Sequence, residues 1–381
     1  MKFLQILALV IFLSASLPFF SICGDDNVIN VLCYHRFKER KASQISDKKL
    51  GDIYSITPKR FEEHMQFLND NGYKVIPMSE YVGLIEGKKD LPEKAVVLTI
   101  DDGYKSIKDE AYPILKKFNY PAIVYAYSVF MPGGKSALTP EEAKELLADG
   151  LMEFGSHSHT HPLLTSRKKM TDLQYAKFLI EEIITSKRYL ERKLGITIET
   201  MGYPYGAYSK ETHKALEKAG YKAGFSVVPS YNTKETHRYS LKRTMIYNST
   251  TVEKLKAILE KKPIKIGVVY PEDGDIITDA KPVLKAELKE DAGLNTATIK
   301  FEMGRVTLKD SVYDPAAKTL TYTYDKPLSK GVHIASVKAK DMDGFQREYA
   351  WLFVVGKPVA DGVLEDALSN TMLSKGEING K

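Results

Sequence analysis

The chain has 381 residues, enough for two folded units at roughly 150 residues each. Its 43% hydrophobic and 27% charged residues are those of an ordinary globular protein and exclude global disorder, a collagen-like repeat and a polytopic membrane protein. Lys+Arg 55 against Asp+Glu 49 leaves a dispersed net charge of +6, which excludes a nucleic-acid surface built on a concentrated basic patch; two cysteines exclude a disulfide scaffold or a Cys-ligated zinc ribbon, so a metal here must be held by His and carboxylates.

Lys2 followed by the almost wholly apolar stretch Phe3 to Cys23 predicts a secretory signal over residues 1–23, with small residues Ser21 and Cys23 flanking Ile22 at the cleavage site. A lipid-bearing Cys23 and an uncleaved anchor are the alternatives, and all three give a secreted, periplasmic or cell-surface protein. Residues 24–263 alternate short apolar runs with amphipathic helices, which predicts an α/β domain with parallel strands. The runs are 28–34, 95–100, 122–127 and 224–228. Thr57-Pro58 and Thr139-Pro140 each open a helix with a capping hydroxyl and a proline at the first position, Ser209 caps a third, and a fourth starts at Thr250 or Thr251. Beyond Pro263 the pattern becomes short alternating strands separated by Gly, Asp and Pro, which predicts an immunoglobulin-like β-sandwich over 264–357; a weakly ordered tail with one short helix is expected over 358–381.

Four features carry chemistry. Thr99-Ile100-Asp101-Asp102-Gly103 ends an apolar strand, where α/β barrels place their active sites. Read alone it is also an ordinary surface turn, but two adjacent carboxylates repel, and a dication would relieve that by taking one as ligand while the other stays ionised as a base. His157 and His161, four apart in Gly155-Ser156-His157-Ser158-His159-Thr160-His161, would share one side of a helical turn, with His159 pointing elsewhere. Two imidazoles and one carboxylate leave open positions, as a hydrolytic zinc requires. Tyr203-Pro204-Tyr205-Gly206 reads as a tight turn, and His35 ends the first strand, where a hydrogen-bonded structural role is the alternative.

Together and in this order, these segments resemble the first three motifs of the polysaccharide deacetylases (the NodB-homology group, carbohydrate esterase family 4). Leu32-Cys33-Tyr34-His35-Arg36 and the segment from Phe61 to Tyr73 look most like the poly-N-acetylglucosamine deacetylase branch. The resemblance covers about residues 28–260 and implies a distorted, incomplete (β/α) barrel ahead of the sandwich. It implies that Asp102, His157 and His161 hold a divalent metal, most naturally Zn2+ with Ni2+ or Co2+ also fitting, and that Asp101 is the general base. His35 is implied as the acid and the Tyr205 N–H as the oxyanion donor. The arginine that usually opens the third motif is replaced by Gly202, and Arg243 is the candidate to orient Asp101, with a surface cation as the alternative.

The implied reaction is hydrolytic release of acetate from an N-acetylglucosamine polymer, with an acetylated polysaccharide and the cell envelope as partners. O-deacetylation of a polysaccharide such as xylan, or an inactive carbohydrate-binding or adhesion protein, are the rivals. Of the other histidines, His64 and His213 are expected to be partly exposed on helices, His237 to lie in a loop before Arg243, and His333 and Trp351 to belong to the sandwich, with Trp351 in its core. Cys33 is expected to be a buried thiol.

Overall fold

The computed structural model describes residues 28–39, 53–87, 92–131 and 133–373; the expected signal at 1–23 lies outside them. Eight strands form one sheet: β1 Asn30–Tyr34, β2 Lys74–Val75, β3 Ala95–Asp102, β4 Ala122–Ala126, β5 Met152–Ser156, β6 Thr200–Gly202, β7 Ala223–Phe225 and β8 Thr244–Met245. Their order is β8-β1-β3-β4-β5-β6-β7, with β2 against the start of β3, and every pairing is parallel. Parallel strands covered by helices are buried on both faces, which is why Val96, Leu98, Ile100 and Val124 read as unbroken apolar runs. The sheet curls into a parallel half-barrel. Leu241 bridges Phe225 at the far edge, while Thr244 and Met245 pair with Leu32 and Cys33, so a single segment carries the sheet from its last strand towards its first.

The helices begin where their capping residues predict. Thr57 accepts a hydrogen bond from the Arg60 N–H at the start of α1 (Pro58–Asp70), whose Phe61, Met65 and Leu68 are buried. Thr139 and Glu142 form a reciprocal capping box on the helix Pro140–Leu147, Ser209 caps Lys210–Lys218, and Thr251 caps Val252–Leu259. Each such cap is worth about 1 kcal/mol. His64 departs from expectation: it is fully buried on α1, with Nε2 donating to Thr250 O at 3.1 Å and Nδ1 accepting from the Tyr34 hydroxyl at 3.2 Å. A second helix covers the face that periodicity alone leaves open. His213 is likewise buried, stacked between Tyr208 and His237.

The C-terminal part consists of two mainly antiparallel sheets around a shared core of Leu284, Phe301, Leu320, Trp351 and Phe353, with Trp351 fully buried as expected. Its longest strands are Leu294–Met303, Gly331–Asp341 and Gln346–Val355. Strand alternation then divides the last of these: Trp351 and Phe353 enter this core, whereas Ala350 and Leu352 enter the core of the barrel. The two units therefore share a strand's two faces. The short helix expected within the C-terminal tail is Val363–Leu373; its Leu364 and Leu368 are buried against the barrel, and Glu365 pairs with Lys214.

Candidate active site

All strands of the half-barrel point the same way, so His35 after β1, Asp101 and Asp102 at the end of β3, His157 after β5 and Tyr205 after β6 meet at one rim. Asp102 Oδ1 lies 3.8 Å from His157 Nε2 and 3.6 Å from His161 Nε2, and the two imidazole nitrogens are 3.2 Å apart. These three donor atoms form a cluster within 4.8 Å of one another. His157 Nδ1 lies 2.7 Å from the carbonyl of Gly202, which can only accept; Nδ1 therefore carries the proton and Nε2 turns its lone pair into the cluster.

The two histidines do converge, but a helix is not the cause. Residues 157–161 form an irregular turn in which Ser158 and His161 adopt left-handed backbone (φ 70° and 59°), closed by the His161 N–H donating to Ser158 Oγ at 3.0 Å. Asp102 (φ 76°) and Tyr205 (φ 58°) are left-handed as well. Such conformations cost of order 1–3 kcal/mol each and concentrate where surrounding structure enforces them for function.

Glu182 supplies part of that enforcement, and no sequence pattern singles it out. It sits in a π-helical turn, Glu181–Thr185, within a long helical run where paired glutamates read as solvent-facing. The turn aims its carboxylate at the loop, where it accepts from the N–H groups of His159 and Thr160 at 3.0 and 2.8 Å and from the Thr160 hydroxyl at 2.6 Å. His159 points away, 2.6 Å from Ser128 Oγ.

Asp101 is buried beside the cluster. Arg243, fully buried, donates to Oδ1 at 2.5 Å and to Oδ2 at 2.9 Å, and Cys33 donates its thiol to Oδ2 at 3.3 Å. The Cβ position of Gly202 is 3.2 Å from the Arg243 guanidinium, so a side chain there would compete with it. His35 Nε2 is 4.0 Å from Asp101 Oδ2, with its ring against Tyr54 at 5.2 Å. Tyr205 is 67% exposed and packs its ring on His161 at 4.8 Å.

Burial alone would raise the Asp101 pKa, but Arg243, then His157 and His35, hold it well below the usual carboxylate range. Asp102 is not gripped in this way: burial, then the charge of Asp101, pushes it up to about 7 against a smaller opposing pull from Arg243. Burial lowers His157 to about 3 and also lowers His161, leaving neutral imidazoles. Neutral imidazoles beside a carboxylate whose pKa is pushed up are the donor set a divalent cation suits, since ligands must be deprotonated and the cation reverses the penalty on Asp102. The residues present therefore fit the metal.

Residues 88–224 match the family model for polysaccharide deacetylase. The Bacillus subtilis protein YxkH, named as a polysaccharide deacetylase, is 32% identical over 196 residues, 51% of this chain and 67% of that protein. The poly-β-1,6-N-acetyl-D-glucosamine N-deacetylase of Staphylococcus aureus (strain N315) is 28% identical over 233 residues, 58% of this chain and 79% of the relative. Two solved structures share the fold: Streptococcus pyogenes deacetylase PplD in complex with acetate (TM-score 0.55, 24% identity, 62% of this chain and 99% of that one) and IcaB from Ammonifex degensii (TM-score 0.51, 22% identity, 61% and 97%). With 32% identity over 67% of YxkH and the same barrel in PplD, the chain belongs to the polysaccharide deacetylase family of hydrolases.

Proposed function

We propose that the protein hydrolyses the N-acetyl groups of a β-linked N-acetylglucosamine polymer outside the cytoplasm, releasing acetate, with Asp102, His157 and His161 holding a divalent cation, Zn2+ foremost. The observation that carries this reading is the convergence of those three donors beside a carboxylate, Asp101, gripped on both oxygens by Arg243. The Staphylococcus aureus relative, named for such a polymer, supports the substrate class. In this reading residues 24–263 are the catalytic domain, 1–23 the signal, and 264–357 an immunoglobulin-like sandwich, for which the two sheets and the buried Trp351 are the support.

A cation bound in the cluster would polarise the acetamide carbonyl and lower the pKa of water. The chain's own residues do the rest. Asp101, ionised because Arg243 offsets its burial, accepts the proton of the attacking water. The Tyr205 N–H is the donor for the developing oxyanion, a contribution of about 3 kcal/mol where such donors are preorganised. His35 delivers a proton to the departing nitrogen. Burial lowers its pKa and Asp101 raises it, so the charged imidazole depends on the ionised base 4.0 Å away.

Acetate release from N-acetylglucosamine oligomers is expected to stop on chelation and to return with Zn2+, Co2+ or Ni2+. Release from acetylxylan alone, or none with any of these metals, overturns the reading. His35→Ala is expected to slow amide hydrolysis by about 10²–10⁴-fold, the span of general acid catalysis, and to spare an activated aryl acetate, whose alcohol leaves without a proton. Equal losses on both substrates would remove His35 from this role.

A further inference from the structure

The segment that brings Arg243 to Asp101 is also held from the other side, by the C-terminal sheets. Extended backbone sends successive side chains to opposite faces. Between the Leu241 bridge and β8, Arg243 enters the barrel while Lys242 turns into the interface between the two units. Lys242 Nζ donates to Asp273 Oδ2 at 2.8 Å and to the Tyr208 hydroxyl at 2.7 Å; that hydroxyl donates to Asp273 Oδ1 at 2.6 Å. Asp273 Oδ1 also accepts the N–H of Leu352, on the strand whose faces serve both cores, at 3.1 Å. The next residue repeats the pattern: the Gly274 N–H donates to Leu352 O and its carbonyl accepts from the Lys210 N–H, both at 2.8 Å. The Asn232 side chain fastens the Lys242 main chain at 2.7 and 2.8 Å.

Lys242 is only 3% exposed. A buried ammonium must be paired, because removing its partner leaves a charge the interior cannot solvate. Without Asp273, Lys242 would have to reach for water, and that pull would act on the main chain it shares with Arg243 against the Asn232 clamp. Arg243 makes a two-pronged contact on Asp101, and misplacement of about 1 Å in a reacting constellation can cost up to 10²-fold in rate.

We propose that Asp273 is a positioning residue for the reaction: by anchoring Lys242 it holds the Arg243 guanidinium in place on Asp101, which makes the C-terminal sheets a working part of the deacetylase. The proposal rests on the function given above. Its test is a cycle in the full-length protein. Asp273→Ala is expected to lower kcat roughly tenfold, the lower end for residues that orient a site from behind, with KM and metal content unchanged. Asp273→Asn keeps the Leu352 contact and an oxygen for the Tyr208 hydroxyl but removes the carboxylate that pairs Lys242, and is expected to recover part of the folding stability and little of kcat. In an Arg243→Lys background, where the two-pronged contact is already lost, Asp273→Ala should reduce kcat no further.

A drop in melting temperature with kcat unchanged in the folded protein, or equal kcat losses from Asp273→Ala in both backgrounds, overturns the proposal. If the wild-type protein releases no acetate from any substrate, the functional reading fails instead. A crystal structure of Asp273→Ala then decides: Arg243 still on both oxygens of Asp101 overturns the positioning role, and a displaced guanidinium upholds it.

Discussion

Asp101→Asn is expected to lower turnover on N-acetylglucosamine oligomers by two to four orders of magnitude, the range for loss of a general base, while the protein still binds its metal. In the proposed mechanism the substitution removes the proton acceptor but changes none of Asp102, His157 and His161, whose donor atoms define the cluster. It also leaves the fully buried Arg243 without its carboxylate, so stability falls too and the rate must be read well below the unfolding transition. Metal content by elemental analysis, set beside acetate release, checks the assignment. A variant that keeps wild-type turnover would remove Asp101 as base, and one that loses the metal would make it a ligand.

Arg243→Met should be the most damaging substitution to folding. Breaking a buried pair by removing one partner costs about 3–5 kcal/mol, because the remaining charge is neither solvated nor compensated. The pH dependence carries its own sign. In the wild-type protein the Asp101 pKa is depressed by folding, so this group's contribution to stability is present above the unfolded carboxylate range and is lost as pH falls through the folded value. Without Arg243 the largest lowering influence is gone while burial remains, so the folded pKa moves up and this stabilising contribution at neutral pH is lost. The deficit of Arg243→Met in denaturant unfolding should therefore be larger at pH 7 than at pH 4. A deficit that does not vary with pH would mean that only packing was lost.

Much of the site is legible because its signals are local. An apolar strand ending in Asp101-Asp102-Gly103 and three histidines within five residues are patterns of neighbouring positions, and they appear at the strand ends where the parallel sheet gathers them. Even there the convergence has another cause: His157 and His161 meet through left-handed turn residues, not through helical periodicity. Arg243 was legible only as a candidate, because its contact with Asp101 spans 142 positions. Glu182 and the proximity of Cys33 to Asp101 carry no local signal, since a glutamate in a helix and a cysteine in a strand have ordinary readings.

Periodicity, capping and composition over a few turns of chain are enough for the capped helices, the buried parallel strands and the change to β structure beyond Pro263, while short motifs and the family they resemble mark Asp101, Asp102, His157 and His161. Long-range packing sets which side chains lie inside: His64 beneath Thr250, Lys242 against Asp273, and the Ala350 and Leu352 face against the barrel. Whether a surface is solvent or interface depends on which distant segment covers it. That is set by the free energy of burying whole faces together, and no window of neighbouring residues contains it.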